Sequence, residues 1–169
     1  MGMYPGGNII RITPSDLTAS AISNNDVVFA KNELKNAVGT RGGCSLLRTF
    51  TMFIEGAEAA DDLILLFFDN STDLGAATDA ATSTISADEF RAAGCIGAMK
   101  FDGGYAMDMG NGLLYTGDII DSNFSQAPII VQAADGGTSV WVACIQYGGT
   151  LHLTDTDSLT CTFGFQFLG

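Results

Sequence analysis

The stretch Leu159–Leu168, LTCTFGFQFL, limits what this chain can fold into more than any other. Leu159, Cys161, Phe163, Phe165 and Phe167 fall on one side of an extended strand, and Thr160, Thr162, Gly164 and Gln166 on the other. Alternation of period two is the pattern of a strand with one buried face. Burying a phenylalanine is worth about 2–3 kcal/mol, so three in one row form a rib on which other strands must pack. The rib also predicts that this end of the chain is tied into the fold.

The remaining runs are short and separated by turn residues. Strands are expected at Ile9 to Thr13, with Ile10 and Ile12 facing one way, and at Val27 to Ala30. Cys44 to Ile54 reads as a long strand with Cys44, Leu46, Phe50, Met52 and Ile54 in one row, and Arg48 breaks the row. A charge at such a position marks a bulge, an exit from the core or a partly buried ion pair. Leu63 to Phe68 and Ser139 to Tyr147 are apolar on both faces, the pattern of central strands covered on both sides. Trp141 reads as a core anchor in the second of these.

One helix is expected, over about residues 86–93. Ser86 and Glu89 have the spacing of a capping box, Phe90 is the residue to pack on a sheet, and Gly94 is the stop. Cys95 to Phe101, a hairpin-type turn at Asp102-Gly103-Gly104, Leu113 to Ile120, Pro128 to Ala134 and Leu151 to Leu153 complete the reading. Many short strands with turn signals every 8–12 residues are the mark of a sandwich or barrel. The fold class read from this is all-β, an antiparallel two-sheet sandwich of jelly-roll type with one short inserted helix. Residues 1–8 read as an extended glycine-rich arm and residues 9–169 as one domain.

Charge narrows the partners. The formal net charge is −12 with 7 Lys and Arg, and nothing basic follows Lys100. Such a surface repels phosphate and anionic lipid, so neither nucleic acid nor membrane is an expected partner. The start MGMYPGGN lacks the basic and apolar regions of a signal peptide, and synthesis in a reducing cytoplasm is expected. Cys44, Cys95, Cys144 and Cys161 form no CxxC and no Cys–His cluster, and each sits in an apolar run as a small hydrophobe does.

No catalytic constellation emerges. His152 is the single histidine, so a cupin-like metal site of two or three histidines has no ligands. The acid pairs Asp61-Asp62, Asp88-Glu89 and Asp155-Asp157 are what 19 acids produce by chance, and a glycosidase needs two at a fixed separation. Asp155-Thr156-Asp157 and Asp69-Asn70 offer loop oxygens to Ca²⁺, but turn capping is the simpler reading and no EF-type spacing is present. Gly39 to Gly43 lacks the Lys-Ser/Thr of a phosphate loop. No catalytic residue, cofactor or metal is therefore expected.

The order of pieces resembles a known group. The loop Asn36 to Leu47, the strand to Ile54, Asp62 to Phe68, Asn70 to Gly75, Asp135 to Val142 and the closing Leu159–Leu168 are similar to small virion proteins of tailed phages. These are capsid decoration, or cement, proteins with a jelly-roll-like sandwich. The resemblance implies a non-enzymatic protein on the outer surface of the virion, binding the major capsid protein and itself, commonly as a homotrimer. Met3 and Tyr4 of the arm are then expected to dock on a neighbour, and Lys31, Lys35 and Arg41 to meet an acidic shell. The alternative reading is a carbohydrate- or receptor-binding sandwich of a tail or fibre, which requires exposed aromatic side chains.

Overall fold

The computed structural model describes residues 6–14, 21–57, 61–72, 87–118, 129–153 and 159–168. Among these residues twelve strands run in chain order: β1 (Gly7–Ile12), β2 (Ala21–Ser23), β3 (Val27–Leu34), β4 (Cys44–Glu55), β5 (Leu63–Phe68), β6 (Cys95–Phe101), β7 (Met107–Asp108), β8 (Gly112–Asp118), β9 (Ile130–Gln132), β10 (Val140–Gln146), β11 (Thr150–His152) and β12 (Leu159–Leu168). The helix α1 (Ala87–Ala92) lies between β5 and β6.

Two sheets carry the architecture. One has the order β1-β12-β4-β8-β7, with β9 also on β4; the other has the order β3-β10-β5-β6. The antiparallel pairs are nested: β1 with β12, β3 with β10, β4 with β8 and β5 with β6. A long hairpin rolled so that successive pairs fall in alternate sheets has this connectivity, which is the double-sheet jelly roll. The small β2–β11 pair stands apart.

The rib is where the sequence places it. In β12, Leu159, Cys161, Phe163 and Phe165 are buried, and β12 lies between β1 and β4. Phe163 bridges the two sheets, with its ring 5.0 Å from that of Phe50 on β4 and 6.2 Å, edge-on, from that of Phe67 on β5. Phe167 is only partly buried, its ring laid against Gly39. The strands β5 and β10 are central in their sheet, as their two apolar faces require.

Arg48 is a bulge. Gly164 pairs with Thr49 and Phe165 with Leu47, so Arg48 has no opposite number on β12. The extra residue inverts the parity of β4: Ser45 and Leu47 are buried before it, Phe50, Met52 and Ile54 after it. Cys44 and Leu46 therefore lie on the outer face, not in the row with Phe50.

Three further expectations are corrected. Phe90 is 40 % exposed and α1 buries no residue, because a helix of six residues presents too little surface to form a layer. Gly94 does end it, in the left-handed region at φ 65°; Ser86 lies outside the described residues. Trp141 is half-buried in an outer cluster with Ile64, Leu66, Phe68 and Ile145, because Val140, Val142 and Cys144 hold the inner parity of β10. Asp102-Gly103-Gly104 is no hairpin turn. It opens a 3-10 turn, Gly103–Tyr105, capped by the Asp102 carboxylate, that carries the chain from β6 in one sheet to β7 in the other.

Candidate interaction surface

The outer face of the six-stranded sheet changes character at the Arg48 bulge. On one side, the register sets Arg11, Thr162, Thr51 and Thr116 in a row across four strands, with Thr49 and Thr160 in the adjoining rows. Threonine suits an extended, solvated face. On the other side apolar residues share the face with two amides, Gln166 opposite Leu46 and Gln132 opposite Cys44. Leu46 pairs with Ile130, which is 55 % exposed, and Cys44 pairs with Leu168, which is also exposed. The bulge creates this patch, since without the inverted parity Leu46 and Cys44 would share the inner side with Phe50.

A second apolar group lies at the β7 edge. Tyr105, Met107 and Met109 alternate along the chain and all three are exposed. Beside them a groove of about 550 Å³ opens between Gly56 and Ala57 on one wall and Ala106, Asp108, Asn111 and Leu113 on the other. Gly56 N donates to Asn111 O (3.0 Å) and Asn111 Nδ2 to Glu55 Oε1 (3.1 Å), which ties the two segments together.

The residues singled out for partner binding are not gathered in one place. Met3 and Tyr4 lie outside the described residues. Lys31 is on β3, half-buried; its Nζ donates to Asn70 O (3.1 Å) and Ala93 O (2.9 Å) and stands 3.9 Å from the Phe68 ring centroid. Lys35 and Arg41 share the loop between β3 and β4 and are both exposed, with Lys35 3.9 Å from Glu33. That loop leads into Cys44, the first residue of β4.

Several of the acids considered for catalysis are tied to structural partners, while Asp61 Oδ2 is buried with no hydrogen-bond partner among the described residues. The Asp62 carboxylate accepts from Lys100 Nζ (2.8 Å) and Gly103 N (2.9 Å), and these bonds, Lys100 first, hold its pKa below the usual value. The Asp61 main chain is bonded to Tyr115 through the hydroxyl (3.0 Å to Asp61 O), and burial pushes Tyr115 up to about 12. Asp88 pairs with Arg91 at 2.8 Å. Asp69 Oδ1 accepts from Asn70 Nδ2, and Asn70 Oδ1 caps Thr72 N. Asp155 and Asp157 lie outside the described residues, while His152 pairs with Ala21 through the β2–β11 ladder. Among the described residues no three His, Cys, Asp or Glu side chains are grouped to hold a metal. All four cysteines are free thiols, with Cys144 and Cys161 buried and their pKa values raised by desolvation.

The exposed apolar residues Ile9, Ile130, Leu168, Met107 and Met109 were not singled out by sequence reasoning. One signal was present. In Ile9-Ile10-Arg11-Ile12, if Ile10 and Ile12 face the core, Ile9 must face out.

No protein-family model matches the chain, and no curated protein matches it by sequence. Among solved structures it is similar to a chain in the crystal structure of tomato aspermy virus, at 6 % identity and a TM-score of 0.36, covering 100 % of this chain and 81 % of that one. It is also similar to a chain of Desmodium yellow mottle tymovirus, at 15 % identity and a TM-score of 0.29, covering 99 % and 83 %. Both scores are too low to identify a common fold.

Proposed function

We propose that this protein is a non-enzymatic structural component of a virion, a decoration protein that binds the outer surface of the major capsid shell and stabilises it. The observation that carries the reading is the pair of exposed apolar side chains Ile130 and Leu168 beside the half-buried Leu46 on the outer sheet face, next to the loop bearing Lys35 and Arg41. Large apolar side chains gathered on one face of a monomer mark a contact surface, and the two cations suit an acidic shell. A jelly roll hosts such roles among others, so the weight falls on the patch and not on the fold. The resemblance drawn from the order of sequence pieces points the same way.

In this reading copies associate with one another, commonly as a trimer. Met3 and Tyr4 dock on a neighbouring subunit and become ordered on assembly. Lys31 contributes little to the contact, because two main-chain carbonyls and the Phe68 ring already hold its ammonium. The receptor-binding alternative gains nothing from Trp141, which is half-buried within the outer cluster.

The test is a count. Particles containing the protein are separated on a gradient into shells and tails, and its copies are measured against the major shell protein. Many copies travelling with the shell, lowered by Ile130→Glu, are expected. A few copies per particle, travelling with the tail, would end the proposal.

A further inference from the structure

Among the described residues β1 is outermost on one side of the six-stranded sheet, and on the other, where β4 pairs with both β8 and β9, β7 is outermost beyond β8. A free edge presents unpaired N–H and C=O groups, and soluble proteins commonly guard it with lysine, proline or inward charge. Here both edges offer apolar side chains. Ile9 on β1 is 76 % exposed, and Tyr105, Met107 and Met109 line the β7 edge. The register puts Ile9 on the outer face, opposite Gly164, and Met107 on the same face, opposite Leu114.

The two edges also differ in charge. Beside Ile9 stands Arg11, exposed and in no ion pair among the described residues. Around β7 stand Glu55, Asp102 and Asp108, all exposed, and Lys100, the base near Asp102, is paired with Asp62 at 2.8 Å. One edge is apolar and cationic, and the other is apolar and anionic. The groove between Ala57 and Leu113 adds a concave wall to the second edge.

We infer that these edges mate between copies of the chain. The β1 edge of one copy lies along the β7 edge of the next, with Ile9 against Met107 and Met109 and Arg11 toward the acidic rim. The two patches are different surfaces, so the contact is head-to-tail. Such a contact does not close a two-fold dimer, and it closes on itself only as a ring of three or more. This deepens the self-association proposed above and fails separately from it. A monomeric protein that still loads onto shells in many copies would sink the ring and leave the docking proposal standing.

The test is the mass of the full chain in solution, by light scattering on a sizing column. A closed species of at least three times 17.6 kDa is expected. A monomer, or a dimer that is its largest species, overturns the inference. Ile9→Glu and Met107→Glu, each on an exposed side chain, are expected to reduce the species to one copy, with an unchanged circular dichroism spectrum showing that the fold persists. Mixing the two variants is the decisive arm. Each retains the edge that the other has lost, so the mixture is expected to form a two-chain species by one intact contact. A mixture that stays monomeric, or a single variant that keeps the parent mass, refutes head-to-tail pairing.

Discussion

Deletion of Arg48 tests the bulge on which the outer patch depends. Because Gly164 pairs with Thr49 and Phe165 with Leu47, removing the residue between them leaves every pair of the β4–β12 ladder in place. Leu47 then faces in, Thr49 out and Phe50 in, which is ordinary alternation. The expected change in stability is within about 1 kcal/mol, the scale of surface changes that remove no buried group. Deleting Thr51 is the control, equally exposed but in regular ladder between Phe50 and Met52. It forces half of β4 to turn over, exposing either Met52 and Ile54 or Leu47 and Phe50. At about 1.5–3 kcal/mol for each buried side chain, that loss is about 3–6 kcal/mol, a large share of the roughly 5–15 kcal/mol that holds a domain together. Urea unfolding followed by circular dichroism reads the difference. With a slope of about 2 kcal/mol per molar, the Arg48 deletion moves the midpoint by less than about 0.5 M and the Thr51 deletion by about 1.5–3 M. Equal losses for the two deletions would mean that Arg48 is ordinary strand and that Leu46 has no reason to face outward.

Four other outcomes are expected. Phe163→Ala removes the ring that joins the sheets and should cost about 3–5 kcal/mol in the same urea experiment, against less than half of that for the partly buried Phe167→Ala. Lys31→Met keeps the stem but loses both bonds to Asn70 and Ala93, and should lower stability by about 2–3 kcal/mol. The Asp62 pKa is depressed in the fold, so its contribution is present above the ordinary carboxylate value and is lost as pH falls through the folded one; Asp62→Asn should flatten that acid limb in melting temperature against pH. Thiol titration of the native protein should find no more than two of the four cysteines, because Cys144 and Cys161 are buried with raised pKa values, and all four after unfolding.

The elements legible in the sequence are those whose pattern depends on one strand alone. The alternation of β12 names its buried row without reference to any neighbour, and the two-sided apolar runs of β5 and β10 name central strands in the same way. Elsewhere the deciding fact lies on another strand. Leu46 and Leu47 are equivalent in sequence, and only the pairing of Phe165 with Leu47 decides which enters the core. Trp141 and Val142 are equally apolar, and Val142 goes inward because its pairing with Phe67 places both side chains on the core side of the sheet. Lys31 reads as a surface charge because the carbonyls that hold it come from residues 39 and 62 positions further along.

The same reasoning accounts for the missed surface. A candidate contact residue in a β protein of this kind is an apolar side chain that parity leaves outside, so it can be found only once the inner row of its strand is known. For β1 the inner row is Ile10 and Ile12, which leaves Ile9. For β4 the inner row changes at Arg48, which leaves Leu46, and its partner Ile130 follows across the ladder. A one-residue insertion thus supports two separate features. It lets a twelve-residue strand keep its core side chains on both sides of the bend, and it turns two apolar residues toward solvent where a foreign surface can reach them. The second feature depends on the first: all twelve residues in regular alternation with Phe50, Met52 and Ile54 inside would turn Leu46 into the core and Leu47 out of it.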